Sequence, residues 1–205
     1  MASLDPKIIN MNQQLKTLLL KLESFGADND ATNTERSKRM LNITPDTGEF
    51  LSILIKATKA KNILEIGTSN GYSTLWLADA ALANGGHITT IEYTDYKAEL
   101  ALSNFIEAGL DGCITLIKND AGMELAKFQN NQFDFIFLDS ERSEYLGWLS
   151  ELKRTLKVGG LLVVDNAVSH LTEMLPLMNV LKVDSDFSTN LVPIGNGEFL
   201  AFKEK

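Results

Sequence analysis

Residues 62–73 constrain the fold of this chain more than any other segment. A short apolar run includes the acid Glu65, glycines follow at Gly67 and Gly71, and Ser73 then offers a hydroxyl that can open a helix. This order is typical of the turn after the first strand of an α/β sheet, where a nucleotide-like ligand lies against backbone amides. The segment therefore predicts a ligand-binding turn. A glycine turn that only joins a strand to a helix is the alternative.

The spacing of the glycines indicates the charge of the ligand. Dinucleotide-binding turns follow the pattern G-x-G-x-x-G, whereas this chain has three residues between Gly67 and Gly71, with Glu65 just before the turn. A carboxylate there suits a cationic ligand better than a pyrophosphate. S-adenosylmethionine, which carries an ammonium and a sulfonium charge, fits this chemistry, and a nicotinamide dehydrogenase does not fit the glycine pattern.

Composition excludes several classes of protein. The 205 residues, 44% of them hydrophobic, are enough for one domain with a full core. A net charge of −8 argues against a nucleic-acid backbone or an anionic membrane as partner. Cys113 is the single cysteine, which rules out a disulfide framework or a cysteine metal cluster. No signal-peptide layout and no membrane-length apolar run is present, so we predict a cytoplasmic protein.

From residue 45 onwards the chain alternates between helical and strand patterns. We predict strands at 62–66, 87–92, 113–117, 133–139 and 161–165, and helices at 45–57, 73–83, 95–108, 121–128, 143–156 and 171–180. This alternation predicts an α/β fold with a doubly wound, mostly parallel sheet. Residues 188–193 and 198–202, which flank two glycines, predict a C-terminal antiparallel hairpin.

The first 40 residues have a different pattern. Apolar residues recur near a 3.6-residue period over residues 6–25, which predicts an amphipathic helix that Gly26 can end. The polar residues 27–37 are expected to form a loop or a mobile segment. Thr44 and Pro45 then suit the N-cap and the first position of the next helix. We treat residues 1–40 as an N-terminal extension and residues 41–205 as one domain.

Four of the five predicted parallel strands deliver an acid to the sheet edge at which ligands of such folds bind. These acids are Glu92, Asp120, Asp139 and Asp165. A carboxylate at Glu92 can accept two hydrogen bonds from a ribose, although an exposed acid at a strand end is the alternative. Asp120 and the backbone of Ala121 can meet an adenine edge, although Asp120 can also serve only as a helix cap.

Asp139, Asp165 and Asn166 follow two successive strands, so their side chains are expected to converge. Two carboxylates and an amide oxygen make an open oxygen site for Mg²⁺ or a similar divalent ion. A turn at the end of a strand also favours Asp and Asn, so a purely structural pair at Asp165 and Asn166 remains open.

Several segments, taken in order, resemble one family. They are the glycine turn, the Asp120-Ala121 pair, residues 134–139 (Asp-Phe-Ile-Phe-Leu-Asp), residues 159–166 (Gly-Gly-Leu-Leu-Val-Val-Asp-Asn) and the final hairpin. Over residues 38–203 the chain resembles the class I S-adenosylmethionine-dependent O-methyltransferases. Within them it is similar to the catechol and caffeoyl-coenzyme A group and its bacterial relatives. The resemblance implies a Rossmann-like methyltransferase fold, a homodimer, and methylation of one hydroxyl of a small aromatic diol with a divalent metal.

The resemblance also implies roles for individual residues. The cofactor pocket would be lined by Ile43, Glu65, Gly67, Thr68, Ser73, Glu92, Asp120, Ala121 and Asp139. The metal ligands would be Asp139, Asp165 and Asn166. Ser73 is also expected to cap its helix and to meet a ligand carboxylate near the positive end of that helix.

One residue departs from the family pattern. The family usually shows Asp-x-x-Lys, with the lysine as general base, whereas this chain has Arg142 three residues after Asp139. An arginine stays protonated and cannot take a proton. We place Asp139 and Arg142 in the catalytic site, where Arg142 can bind an anionic substrate or pair with Glu141. Proton removal then depends on the metal, on solvent or on another group such as His170, for which a surface position is the alternative.

Two other functions stay open for this chain. Arg142 motivates a metal-independent methyltransferase that acts on another small substrate. A cofactor-binding protein without catalysis is the second alternative.

Overall fold

The computed structural model describes residues 13–205 as a seven-stranded sheet flanked by helices. The strands are β1 (Asn62–Ile66), β2 (His87–Glu92), β3 (Ile114–Lys118), β4 (Phe133–Leu138), β5 (Leu156–Val164), β6 (Phe187–Val192) and β7 (Glu198–Lys203). The helices are α1 (Gln13–Thr32), α2 (Pro45–Thr58), α3 (Tyr72–Ala83), α4 (Asp95–Ala108), α5 (Ala121–Leu125), α6 (Tyr145–Thr155) and α7 (Leu171–Val183).

The strand order is β3-β2-β1-β4-β5-β7-β6. The first five strands in this order run parallel, and β7 lies antiparallel between β5 and β6. The predicted doubly wound α/β sheet with a C-terminal antiparallel hairpin is therefore confirmed. From β1 the chain first adds β2 and β3 on one side of the sheet and then adds β4 and β5 on the other side. The strand order therefore reverses at β1, where ligands of such sheets bind.

The sheet is buried on both faces, as parallel sheets require. Successive residues of β4 alternate between two core clusters, with Phe135 and Phe137 on the side of α1–α4 and Ile136 and Leu138 on the side of α5–α7. This period of two fixes which side chains enter each layer. Strand β5 also begins earlier than predicted, at Leu156, and its pairing with β4 is interrupted by a register shift.

The predicted end of the first helix is wrong, because α1 continues through Thr32. Gly26 lies buried inside this helix, and a Cβ atom there would collide with the side chain of Asn42. The glycine therefore serves close packing and does not end the helix. Because α1 continues to Thr32, residues 27–32 of the predicted loop are helical. Residues 6–12 of the predicted helix lie outside the described residues.

Helix α1 packs onto the core of its own chain. Leu15, Leu18 and Leu22 belong to the same buried cluster as the residues of α2 and α3. The leucines of the apolar stripe are thus covered within the chain, whereas Phe25 at its end is exposed. The boundary at residue 40 between an extension and a domain stays a prediction.

The start of α2 follows its sequence signal. The Thr44 side chain accepts a hydrogen bond from the backbone N–H of Thr47 at 3.4 Å, and Pro45 is the first residue of the helix. Within residues 13–205, no helix combines the length and the apolar character needed to cross a bilayer.

The turn after β1 lies against the end of β4. Gly67 has a φ of +107°, and a Cβ atom on it would collide with the carbonyl oxygen of Asp139. A side chain at residue 67 would therefore be strained in its backbone conformation and would push two neighbouring strand ends apart.

We expect Gly67→Ala to lower the free energy of unfolding by about 3–5 kcal/mol, because backbone strain adds to overpacking. Gly85→Ala is the matched control: Gly85 also has a positive φ, of +66°, but nothing lies within 4 Å of the position that a Cβ atom would take there. The control should lose only about 1–2 kcal/mol. Urea unfolding at 25 °C measures both, and equal losses would show that the contact with β4 is unimportant.

Candidate active site

A cavity of about 820 Å³ opens at the carboxyl ends of the parallel strands. Its walls come from the turn after β1, the end of β2, the loops after β4 and β5, and residues 36, 37 and 39–43. The volume lies within the range of sites for small ligands and cofactors.

Most of the residues singled out by the sequence line this cavity. They are Ile43, Gly67, Thr68, Ser73, Glu92, Asp139, Arg142, Asp165, Asn166 and His170. Glu65, Asp120 and Ala121 do not. Asp120 is exposed and accepts a hydrogen bond from the N–H of Met123 at 2.9 Å, so it caps α5. Asp120 therefore has the role of a helix cap, which was the alternative to a contact with the ligand. A contact between Asp120 and an adenine stays a prediction.

Glu65 lies beneath the glycine turn and has no exposed surface. One carboxylate oxygen accepts a hydrogen bond from Ser73 at 2.6 Å, and the other accepts from Thr74 at 2.5 Å and from Thr90 at 2.6 Å. Because Thr90 donates its proton to Glu65, the hydroxyl of Thr68, 2.6 Å away, must donate to Thr90. Glu65 thus holds the turn in place without reaching the cavity.

The buried position of Glu65 changes its acidity. Burial raises the pKa of Glu65 from 4.5 to about 7, against the opposing effect of the three hydroxyl donors. The negative charge of Glu92 raises this pKa further. The Ser73 hydroxyl, which donates to Glu65, presents lone pairs to the cavity, and these suit an ammonium group better than a carboxylate.

Glu92 lines the cavity beside the glycine turn and is only 7% exposed. Its two oxygens accept hydrogen bonds from the backbone N–H groups of Ser69 and Thr94, each at 2.8 Å. Each oxygen keeps a further lone pair, and the backbone fixes the orientation of the carboxylate. The group is therefore arranged to accept hydrogen bonds from two neighbouring hydroxyls.

Asp139, Asp165 and Asn166 meet at the ends of β4 and β5. The amide of Asp139 donates to the carbonyl of Ile66 at 3.1 Å, and that of Asp165 donates to Leu138 at 3.0 Å, so the strand ends stay aligned. The Asn166 side-chain nitrogen lies 3.5 Å from Asp139 Oδ1. Asn166 has a φ of +68°, a left-handed conformation that asparagine adopts more readily than most residues.

The charges at this point suit a cation. Burial raises the pKa of Asp139, and the neighbouring Asp165 raises it further, while Arg142 opposes both effects. In the part of the chain that the structure describes, no three His, Cys, Asp or Glu side chains are placed to hold a metal ion. The candidate set thus comprises two carboxylates and one amide oxygen. This hard donor set fits Mg²⁺, with water or substrate as further ligands.

Sequence reasoning missed a third buried acid, Glu198, at the start of β7. It has no exposed surface; one oxygen accepts from the hydroxyl of Thr47 at 3.1 Å, and Oε2 has no donor. Burial and the charge of Asp165 raise the pKa of Glu198 far above its ordinary value. The protonated form of Glu198 is therefore favoured. The sequence signal that could have indicated Glu198 is its position directly after Gly195 and Gly197 of the predicted hairpin.

Arg142 is 9% exposed and has a different partner from the predicted one. Its Nε donates to Glu173 at 2.8 Å, whereas Glu141 lies 3.8 Å from Arg36, so the predicted pairing with Glu141 is wrong. The charge of Arg142 still lowers the pKa of both Asp139 and Asp165.

Comparison with known proteins identifies the family. The model of a family described as O-methyltransferase matches residues 26–204. This chain belongs to the O-methyltransferase family. The predicted family is thereby confirmed.

Individual relatives agree with this assignment. The chain is 37% identical to a putative caffeoyl-CoA O-methyltransferase from Arabidopsis thaliana over 130 residues, which cover 62% of this chain and 56% of the relative. It is 34% identical to a catechol O-methyltransferase from Niastella koreensis over 143 residues, covering 67% and 64%. The matches thus span less than two thirds of either relative. An O-methyltransferase from Bacillus cereus in complex with SAH has the same fold, with a TM-score of 0.76, 23% identity, and coverage of 96% and 94%.

The acidity of Glu65 predicts a pH dependence of stability. The folded-state pKa lies above the unfolded one, so the protonated form is favoured by folding: the stabilisation is complete below pH 4.5 and is lost as the pH rises through about 7. The loss amounts to about 3 kcal/mol. In Glu65→Gln this loss should be absent, so the stability of the variant relative to the wild type should increase from pH 5 to pH 8.

Urea unfolding at pH 5, 6, 7 and 8 measures this difference. Because other buried acids titrate in both proteins, the difference between the two profiles is the informative quantity. Parallel profiles would contradict the prediction.

Proposed function

We propose that this protein transfers a methyl group from S-adenosylmethionine to one hydroxyl of a small aromatic diol, with the help of a divalent metal ion. A single observation carries the proposal: one cavity has Glu92 and the glycine turn on one wall and Asp139, Asp165 and Asn166 on the adjoining wall. The names of the two relatives in sequence, and SAH in the Bacillus cereus enzyme, support this reading.

The first wall would hold the cofactor. Glu92 would accept hydrogen bonds from the two ribose hydroxyls. Backbone N–H groups fix the position of both of its oxygens, and each oxygen keeps a free lone pair. Gly67 lines the cavity, and Glu65 keeps Ser73 and Thr74 in place. Bound S-adenosylmethionine would supply an activated methyl group. The remaining task of the chain is to align acceptor and donor and to exclude water.

The second wall would hold the acceptor. Asp139, Asp165 and Asn166 would bind the divalent ion, which lowers the pKa of an acceptor hydroxyl. Arg142 cannot accept the released proton. His170 lines the same cavity, and its Nδ1 lies 2.9 Å from the hydroxyl of Ser169, so it is a candidate acceptor for that proton.

A second candidate function is favoured by the position of Arg142. Its charge acts on Asp139 and Asp165, so a guanidinium group already compensates part of their negative charge without a metal. A metal-independent methyltransferase of the same fold would use this arrangement. We also propose a homodimer, from the family resemblance, and light scattering of the purified protein measures it.

The cofactor assignment predicts an effect of Glu92→Gln. We expect the dissociation constant for S-adenosylmethionine to rise about 10- to 100-fold, because hydrogen bonds to a charged acceptor are lost. Isothermal titration calorimetry measures the constant. Glu99→Gln is the matched control, since Glu99 is exposed on α4 and does not line the cavity. Similar affinities for both variants would remove Glu92 from the cofactor site.

The metal assignment predicts that a chelator and Asp165→Ala each reduce methyl transfer at least about 100-fold. The assay follows label from S-adenosylmethionine into a panel of catechols, with Mg²⁺ and with EDTA. Asp111→Ala, an exposed acid outside the cavity, is the control. Turnover that survives both treatments would favour the arginine-based candidate. Cofactor binding without transfer to any acceptor would favour a non-catalytic protein.

A further inference from the structure

We propose that Arg39 binds a carboxylate carried by the methyl acceptor, so that the substrate is an acidic aromatic diol. The inference rests on the proposed methyl transfer and adds the substrate class. Its basis is a guanidinium group that faces the cavity without a partner among the described residues.

The position of Arg39 places it over the junction of the two walls. On one side, Arg36 lies 3.8 Å from Glu141, in the loop that follows Asp139. On the other side, the hydroxyl of Ser69, in the glycine turn, donates to the carbonyl of Met40 at 2.7 Å. Arg39 lies between these two attachments in the chain, and its side chain lines the cavity that the two walls share.

The side chain of Arg39 differs from those of the other arginines of the cavity. Arg36 has Glu141 beside it and Arg142 has Glu173, whereas no hydrogen bond or ion pair joins the Arg39 guanidinium to any of residues 13–205. Its Nε is buried and lacks an acceptor. A buried donor without an acceptor is rare in native proteins, so a ligand atom is the expected partner.

The acids near this segment are already engaged. Both oxygens of Asp30, which also lines the cavity, accept backbone N–H groups, from Met40 at 2.7 Å and from Leu41 at 3.0 Å. Lys97, another cation of the wall, forms no ion pair within residues 13–205 either, but burial lowers its pKa against the opposing charges of Glu92 and Asp30. Among the arginines of the cavity, Arg39 is therefore the one whose guanidinium has no partner in the described part of the chain.

A carboxylate matches the geometry of the guanidinium group. Arginine donates two parallel N–H bonds to a planar carboxylate, and a lysine cannot reproduce this fork. A carboxylate attached to an aromatic ring would be held in a fixed orientation by such a pair. That orientation would decide which of two neighbouring hydroxyls faces the methyl donor.

The test compares two diols of the same shape. We measure kcat/KM for 3,4-dihydroxybenzoate and for the neutral 3,4-dihydroxybenzamide with the wild type, Arg39→Gln and Arg39→Lys. The wild type should prefer the acid, and Arg39→Gln should lose about 10- to 100-fold on the acid alone. Arg39→Lys should recover part of that loss because it restores the charge without the fork. Lys38→Gln is the control, since Lys38 is exposed, lies 3.0 Å from Glu35 and does not line the cavity.

Three results would overturn the inference. They are equal losses on both diols, a wild type without preference for the acid, and an Arg39→Gln variant whose cofactor affinity falls as much as its acceptor kcat/KM. The last result would assign Arg39 to the cofactor instead.

If the wild type methylates neither diol, the proposed reaction fails, but the inference is still tested by benzoate binding in a calorimeter. Binding that weakens at least about tenfold in Arg39→Gln would support the carboxylate site. Unchanged benzoate binding would exclude it.

Discussion

The contact between the turn after β1 and the end of β4 holds the two walls of the cavity together. Gly67 has no space for a side chain beside the carbonyl of Asp139, and the amide of Asp139 donates to the neighbouring carbonyl of Ile66 at 3.1 Å. The backbone of the proposed cofactor wall thus touches the backbone that carries the first acid of the second wall. The distance between the walls is set by strand pairing, so it does not depend on the conformation of long side chains.

Glu65 explains how the turn keeps its shape above an apolar sheet. A carboxylate in the middle of a buried strand is costly unless donors surround it. Ser73, Thr74 and Thr90 supply these donors from α3 and from the adjacent strand β2. The network therefore ties the first turn of α3 to two strands. Glu65, which the sequence predicted as a ligand contact, lies beneath the wall of the cavity and supports the turn.

Local patterns predicted the elements well where both faces of the chain are buried. The bounds of β1, β2 and α4 agree with the sequence prediction because apolar runs and turn residues mark them directly. Contacts between distant residues carry no such signal. Gly26 packs against Asn42, Arg142 pairs with Glu173, and Thr47 reaches Glu198 across 151 positions of the chain. For this reason the end of α1, the partner of Arg142 and the contact between Thr47 and Glu198 were not predictable from the sequence.

The balance of charge at the ends of β4 and β5 bears on the choice between metal and arginine. Burial raises the pKa of Asp139, Asp165 and Glu198, and the charge of Asp165 raises those of Asp139 and Glu198 further, so a negative charge is costly at each of these acids. Arg142 supplies one positive charge, but its Nε is already bound to Glu173, which shares that charge. Neighbouring carboxylates repel one another strongly in a region of low dielectric. In the proposed metal site a divalent ion would favour the ionised form of both aspartates, whereas the shared guanidinium compensates them only in part.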